Sequence, residues 1–313
     1  MRRVLAVHFV PCALFVTCVY ALVRAGSFVG RSHWSVALPS DPAATAGALL
    51  VMGACSAVLA MLLYPFQVRA VRVWEGYWDR WPFTAGLAGV LTELQRRRGR
   101  TLRRRTEALS ARDPNSHRVA ADAARRLAAR PFEDDLLPTA LGNALRAGEL
   151  SAGERYGLAT LTSWPRIHMQ ISDRLAAALR SARTALDAAV NLCWSFLGSG
   201  TVAAVALYDE PGARWLPLMA LVLITVAYKG AVTAAQAYAG LMHIVYDLHR
   251  FDLLEALHHP LPDQENEAET FWRVSAFFAG RPSSRLPYDH RDGPLASGLH
   301  SSSTGDAHGS TDA

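Results

Sequence analysis

The 313-residue chain has almost no lysine: Lys229 is the single one, against 31 arginines. Its cysteines are few, and all four (Cys12, Cys18, Cys55 and Cys193) lie inside apolar segments without C-x-x-C spacing. We therefore expect neither disulfides nor cysteine-bound metal, and we interpret the cysteines as small membrane-buried residues. The strong preference for arginine is typical of a GC-rich bacterial coding sequence.

The sequence also lacks the short motifs that carry chemistry in common enzyme families. It has no G-x-x-x-x-G-K-[ST] phosphate loop, no H-E-x-x-H zinc motif and no G-x-S-x-G nucleophile turn. Glu255 and His258 have E-x-x-H spacing, but a di-iron bundle needs a second copy, and the chain has none. We therefore predict a protein that is not an enzyme and binds no cofactor or metal.

Long apolar segments dominate what is present, at about residues 4–23, 43–64, 188–208 and 215–236. About 20 apolar residues suffice for a helix to cross a hydrocarbon core roughly 30 Å thick. The first segment is longer than a secretory signal core and lacks a small-residue cleavage site, so we interpret it as a retained span.

Two of the predicted helices extend well beyond the membrane. Proline is absent from residue 166 to residue 210 and again from residue 218 to residue 259. Each stretch is predicted to form one helix about twice as long as the membrane core is thick. Because the turn between them is short, we predict an antiparallel hairpin that continues as a cytoplasmic stalk.

The predicted fold is an all-α membrane protein with four transmembrane helices arranged as two hairpins. A helical cytoplasmic domain is inserted between the hairpins, and the second hairpin extends into the stalk. The predicted parts are a first transmembrane hairpin (1–64), an arginine-rich cytoplasmic domain (65–184), a second hairpin with its stalk (185–257), a short acidic and amphipathic segment (258–280) and a disordered tail (281–313).

Charge predicts the orientation of the spans. Residues 65–184 hold 21 arginines and 12 acidic residues, a net charge of +9, whereas the two predicted outer connectors hold only Arg31 and Arg214. Because basic loops stay inside, both termini and residues 65–184 are predicted to be cytoplasmic, in a bacterial plasma membrane. Residues 242–313 are acidic, with 5 arginines and 11 acidic residues.

Seven arginines lie within the ten residues from Arg96 to Arg105. The cluster is interpreted first as a solvated face that obeys the positive-inside rule. It is also suited to membrane lipid, because anionic headgroups attract such clusters. Phosphates of nucleic acid attract the same charges, but we do not expect nucleic acid as a partner.

Four aromatic residues follow the second span with the spacing of one helical face: Trp74, Tyr77, Trp78 and Trp81. Amphipathic rings next to a span are typical of the headgroup level, so these are candidate membrane-interface residues. A stacking platform for a ligand or a base is the alternative.

The region after residue 132 carries the most individual motif of the chain. It reads Leu136-Leu137-Pro138-Thr139-x-Leu141-Gly142-Asn143-x-Leu145-Arg146-x-x-Glu149, followed by Arg155-Tyr156-Gly157-Leu158 and Trp164-Pro165-Arg166. With Trp74-Glu75-Gly76-Tyr77-Trp78 before it and His249-Arg250-Phe251-Asp252-Leu253-Leu254 after it, the motif resembles a family of uncharacterised bacterial multi-pass membrane proteins, over about residues 60–280. The resemblance implies a shared architecture and no known activity.

Residues 132–166 are the candidate surface for a protein partner, because capped short helices in loops often carry recognition. Packing against the stalk, with Tyr156 and Trp164 buried, is the alternative. Ser151 and Glu154 have the spacing of a capping box and predict a helix start there. The candidate interaction residues are Leu137, Pro138, Thr139, Asn143, Arg146, Glu149, Tyr156, Trp164 and Arg166.

Polar residues within spans form a second candidate site. Alignment of the third and fourth spans about their turn brings Asp187, Asn191, Lys229 and Gln236 to similar depths. An ion- or proton-linked cluster is one interpretation. Hydrogen bonds between helices and a lysine that reaches the headgroups are the other.

Two functions remain open from the sequence. The favoured hypothesis is a non-enzymatic membrane scaffold or regulator whose cytoplasmic domain contacts a protein partner or anionic lipid. The alternative is a transporter or channel subunit, which requires a homo-oligomer because four spans with so few polar residues cannot line a pore alone.

Overall fold

The computed structural model is helical throughout its regular elements. It describes residues 2–37, 41–78, 82–107, 114–281 and 286–287, so the predicted tail at 281–313 lies almost entirely outside the described residues. The α-helices of this part of the chain are α1 (Arg2–Arg24), α2 (Trp34–Ala37), α3 (Pro42–Leu63), α4 (Gln67–Glu75), α5 (Pro82–Glu107), α6 (Pro114–Ala128), α7 (Ala140–Glu149), α8 (Thr160–Ile167), α9 (Asp173–Ala206), α10 (Trp215–Ala256) and α11 (Glu267–Phe278).

Among the described residues, four helical stretches are long and apolar enough to cross a membrane, which confirms the four candidate spans that the sequence predicts. They are Val7–Arg24, Pro42–Glu75, Asp173–Ala206 and Pro211–Ala256. Short 3-10 turns interrupt the second stretch at Tyr64–Phe66 and open the fourth at Pro211–Ala213.

The surfaces of these helices have the polarity expected in lipid. On α3, the apolar side chains of Leu50 and Met61 are 75% and 77% exposed, whereas Ser56 and Ala60 are buried. Large apolar side chains of α3 face outward and its two buried residues are small, because packing rather than hydrophobicity drives helix association in lipid. The cap of α3 is local: Asp41 accepts a hydrogen bond from the Ala44 amide at 3.0 Å, with Pro42 at the first helical position.

The chain divides into two compact units: residues 1–151 with 173–242, and residues 152–172 with 243–313. In the first unit, α1 packs against α3 and α9, α4 contacts α7 and α9, and α5 pairs with α6. Its main core consists of Val71, Leu141, Ala144, Leu145, Leu186, Val190, Ala231 and Ala235.

The second unit is built from α8, α11 and the last part of α10. Tyr246 is fully buried there, and its hydroxyl donates to the Thr160 carbonyl at 3.2 Å and lies 2.9 Å from the Ser163 hydroxyl. Phe271 and Val274 of α11 are also buried, as the apolar face predicted for this segment requires.

The predicted capping box at Ser151 and Glu154 is wrong. Glu154 reaches forward instead, and its carboxylate accepts from the Thr160 amide at 2.9 Å and the Thr160 hydroxyl at 2.7 Å. The chain turns first at Gly157, whose φ is +83°, so α8 begins nine residues later than Ser151. Glu154 therefore accepts a hydrogen bond from the first amide of α8, although Glu154 itself precedes that helix.

The helix predicted to run unbroken from Pro165 through the third span is also interrupted. Pro165 belongs to α8, which ends at Ile167, where the His168 amide donates to the Trp164 carbonyl. A separate helix, α9, starts at Asp173. The first arm is thus 34 residues long. The second arm, α10, has 42 residues and spans about 63 Å.

Candidate functional site

The L-P-T-x-L-G-N motif attaches α7 to the end of α4. The Thr139 hydroxyl accepts from the Gly142 amide at 3.0 Å, which caps α7, and donates to the Glu75 carbonyl at 2.7 Å. The helix α4 stops there because Gly76 adopts a left-handed conformation, with φ of +96°. The Thr139 hydroxyl therefore pairs with a free amide at the start of α7 and with a free carbonyl at the end of α4.

Asn143 holds the extended segment before α7 in place. Its Oδ1 accepts from the Leu137 amide at 2.7 Å, and its Nδ2 donates to the Leu137 carbonyl at 2.9 Å. Both polar groups of the buried Asn143 amide are thus hydrogen-bonded, and both of their partners are backbone groups of Leu137. Tyr228 of α10 adds a contact, because its hydroxyl accepts from the Leu141 amide at 3.2 Å.

Four of the nine candidate interaction residues are in the interior of the first unit: Leu137, Pro138, Thr139 and Asn143 are all buried. They hold α7 against its neighbours and are not available to a partner in this conformation. Arg146 is partly exposed, and its guanidinium lies 3.6 Å from the Asp135 carboxylate.

The candidate residues of the second unit also make internal contacts. The Tyr156 hydroxyl donates to Asp247 at 2.6 Å, and the ring of Trp164 stacks on that of Tyr246 with 6.3 Å between centroids. Arg166 is exposed, with its guanidinium 4.1 Å above the centre of the Phe278 ring. The contacts of Tyr156 and Trp164 with α10 favour the packing alternative.

The structure assembles a charge cluster that the sequence did not predict. Its members on α4, α7 and α9 are Arg72, Glu75, Arg146, Glu149 and Arg183. Arg183 also pairs with Asp187, one turn further along α9, at 3.4 Å. No pattern in the sequence indicates that Arg72, Glu75 and Arg183 come together, because the three helices meet only in the folded chain.

Glu149 is the acid of this cluster with the clearest consequence for stability. Burial raises the pKa of Glu149, and the charges of Arg146, Arg183 and Arg72 offset that shift only in part. When the pKa of a carboxyl is higher in the folded than in the unfolded state, the protein becomes less stable as the pH rises from the lower of these values through the higher one. At neutral pH the folded protein therefore carries a cost for ionising Glu149.

We expect Glu149→Gln to raise the thermal unfolding midpoint at pH 8 and to leave it almost unchanged at pH 4, because only the ionised side chain carries this cost. Unfolding of the detergent-solubilised protein followed by circular dichroism from pH 4 to pH 8 measures the effect. Glu265→Gln, at an exposed position, is the control and should follow the wild type. A midpoint for Glu149→Gln below that of wild type at pH 8 would contradict the assignment.

Of the four polar residues predicted to cluster within the spans, Asp187 and Asn191 lie one turn apart on α9, but no hydrogen bond or ion pair within the described residues joins any two of the four. Asp187 contacts Arg183, whereas Asn191 contacts α1. Lys229 and Gln236 are exposed, and Lys229 makes no side-chain hydrogen bond or ion pair within the described residues. The arrangement matches hydrogen bonds between helices and an outward-pointing lysine more closely than one ion-linked cluster.

Asn191 compensates for a proline in the first span. Pro11 lacks an amide hydrogen, so the Val7 carbonyl one turn earlier has no helical partner. The Asn191 side chain donates to that carbonyl at 3.3 Å and lies 3.1 Å from His8 Nδ1. Ser195 donates to the Pro11 carbonyl at 2.7 Å, so two polar residues of α9 bind the part of α1 around Pro11.

The described aromatic residues after the second span, Trp74, Tyr77 and Trp78, do not share one helical face. Because α4 ends at Glu75, only Trp74 is helical, and its ring packs between those of Trp194 and Tyr228, each 5.8 Å away. Tyr77 is 46% exposed, and Trp78 folds back to donate to the Val73 carbonyl at 2.7 Å. Trp81, the fourth candidate interface residue, lies outside the described residues.

The arginines of α5 and α6 differ in whether they have a carboxylate partner. Glu93 binds Arg96, Arg97 and Arg100, Asp122 binds Arg125 and Arg126, and Glu133 binds Arg103. Those without an acidic partner among the described residues are Arg98, Arg104, Arg105, Arg118 and Arg130. The hairpin therefore has an excess of cationic groups that its own acids do not neutralise.

Within the described residues, no three histidine, cysteine, aspartate or glutamate side chains are placed to hold a metal ion. Comparison of the chain with protein-family models, with characterised proteins and with solved structures gives no match. The resemblance of the central motif therefore stays a prediction, and the geometry of the chain itself is the basis for a function.

Proposed function

We propose that this protein is a non-enzymatic scaffold of the bacterial plasma membrane whose basic cytoplasmic hairpin, α5–α6, contacts the anionic lipid surface. In this proposal α1 with α3 and α9 with α10 form two antiparallel transmembrane hairpins. The second continues as a cytoplasmic stalk, and both termini and residues 65–184 are cytoplasmic.

The unpaired arginines of α5–α6 carry the proposal. Residues 82–107 and 114–130 hold eleven arginines and three acidic residues. An arginine near an anionic leaflet contributes about 1 kcal/mol, and the attraction decays over about 10 Å at 0.1 M salt. An excess of this size favours contact with a negatively charged surface over a face that is only solvated.

The other two hypotheses have less structural support. A partner surface over residues 132–166 would have to use the exposed remainder, because four of its candidate residues are buried. A transporter or channel subunit would need a polar pathway, and no hydrogen bond or ion pair in the described part of the chain joins Asp187, Asn191, Lys229 and Gln236 to one another.

A fluorescent reporter on the hairpin tests the proposal. Gly99 suits it, because a side chain added there meets no atom within 4 Å. The full chain, with its four cysteines replaced and Gly99→Cys labelled with an environment-sensitive dye, is reconstituted in nanodiscs. We expect a blue shift in discs containing phosphatidylglycerol that is lost in about 1 M salt, where screening acts over roughly 3 Å.

Discs of phosphatidylcholine alone provide the control and should give the emission seen in high salt. The same spectrum in neutral and anionic discs would show that the hairpin does not contact the lipid surface, and the proposed function would fall.

A further inference from the structure

A groove in the first unit gathers arginines from several parts of the chain. It lies between α5, α6, α7 and α10, has a volume of about 520 Å³, and is lined by five arginines and no carboxylate. The arginines are Arg97, Arg98, Arg105, Arg126 and Arg130.

Three of these guanidinium groups are available to a ligand. Arg97 and Arg126 are paired with Glu93 and Asp122, whereas Arg98, Arg105 and Arg130 have no acidic partner in the described part of the chain. Gln95, Asn143 and Gln236 also line the groove, and they are neutral hydrogen-bonding residues. An anion there would meet cationic donors without repulsion from a lining carboxylate.

Hydrogen bonds hold Arg130 in place, although no carboxylate among the described residues pairs with it. Its Nη2 donates to the Gln95 carbonyl oxygen at 2.8 Å and to the Gln95 side-chain oxygen at 3.1 Å, and Gln95 itself is buried. Burial, and then the charge of Arg98, lower the pKa of Arg130, but a guanidinium stays protonated in proteins. A half-buried cation beside a second cation is costly unless an anion joins them.

The depth of the groove along α10 indicates where its anion comes from. Val232 and Gln236 form its wall on α10, and Gln236 lies about 32 Å along the helix from Trp215. That distance matches the thickness of a hydrocarbon core, roughly 30 Å. If Trp215 lies at the outer face, the groove opens at the level of the inner headgroups.

We propose that this groove is a binding site for the phosphate group of an anionic phospholipid, with Arg98 and Arg130 as its principal ligands. Guanidinium groups bind phosphate through two parallel hydrogen bonds, so a guanidinium held in place, as that of Arg130 is, suits phosphate better than mobile charges alone would. A terminal phosphomonoester carries a charge of about −1.5 to −2, which suits three unpaired arginines better than a phosphodiester does. Phosphatidate is therefore the probe lipid.

The inference rests on the proposed function only for placing the groove at the inner leaflet. Phosphate is also a soluble anion, so the source of the ligand has to be tested together with the site. Glycerol 3-phosphate carries the same phosphomonoester without acyl chains and distinguishes the two sources.

Lipid binding to the full chain, measured by native mass spectrometry from mixed micelles, tests the site. We expect phosphatidate to bind more tightly than phosphatidylglycerol, and Arg98→Gln or Arg130→Gln to weaken phosphatidate binding about tenfold, as expected for loss of a charge-assisted hydrogen bond. Arg96→Gln and Arg125→Gln remove the same charge outside the groove and should change the affinity less than about twofold. Arg98 is exposed, so Arg98→Gln keeps the test valid should Arg130→Gln fail to fold.

Equal losses in the groove and control variants would overturn the site and leave the contact of the hairpin with lipid intact. Binding of glycerol 3-phosphate as tight as that of phosphatidate, or tighter binding of a single-stranded oligonucleotide, would overturn the assignment to lipid. Binding that depends on Arg98 and Arg130, with no shift of the reporter at residue 99, would instead reject the proposed function and retain the site.

Discussion

Gly142→Ala is expected to destabilise the protein by about 3 kcal/mol, at the upper end of the cost of overpacking. A Cβ atom at this position would lie 2.0 Å from the Glu75 carbonyl oxygen and 2.8 Å from Leu137 Cδ1. The first of these atoms is backbone, so no change of rotamer relieves the overlap and α7 has to move away from α4. Unfolding by sodium dodecyl sulfate in mixed micelles, followed by circular dichroism, measures the loss.

Gly99→Ala is the matched control. It introduces the same atom within a helix, at a position where nothing lies within 4 Å. Because glycine is the poorer helix former, alanine there should stabilise the protein by about 0.5–1 kcal/mol. If the two variants shift the midpoint in the same direction and by similar amounts, the close contact between α4 and α7 is not present in the folded protein.

Arg250→Met is expected to cost about 3 kcal/mol, because it leaves a largely buried carboxylate without its partner. Arg250 Nε lies 2.7 Å from the Glu267 carboxylate, and the two side chains are only 17% and 21% exposed. The guanidinium also lies 4.3 Å from the ring centres of both Tyr156 and Phe251. Hydrogen exchange should show faster opening of α11 and of residues 152–172, which belong to the same unit.

Arg273→Met removes a second arginine–glutamate pair of α11 and serves as the control. Arg273 and Glu269 are 57% and 62% exposed, so their pair should contribute no more than about 0.5 kcal/mol. The double variant Arg250→Met with Glu267→Gln should recover part of the stability, because no unpaired charge remains. A cost for Arg250→Met no larger than that for Arg273→Met would contradict the central role of Arg250.

The candidate site shows which kinds of residue a single sequence can and cannot indicate. The motif around Gly142 was visible as an unusual pattern, but its role could not be read, because Thr139 caps its own helix and also bonds a residue 64 positions earlier. The end of α4 did have a local signal, since Gly76 is the typical residue after a helix C-terminus. The periodic spacing of the aromatics outweighed that signal in the prediction.

Arg130 and Gln95 had no such signal. Their hydrogen bond joins residues 35 positions apart, and nothing in either segment indicates that the two side chains will meet. Glu154 is the opposite case, in which a local sequence pattern was present but predicted the wrong contact. Its spacing from Ser151 predicted a local cap, but the turn at Gly157 directs its carboxylate to Thr160 instead.

The sequence alone determined that the chain is helical and has four stretches able to cross a membrane. In lipid a span must satisfy its own backbone hydrogen bonds, so length and apolar composition are sufficient to identify it. Which polar groups meet became visible in the folded chain alone: Thr139 with Glu75, Asn191 with Val7, and Arg130 with Gln95. Such pairings depend on how separate helices pack, and hydrogen bonds act over distances too short to leave a periodic trace in the sequence.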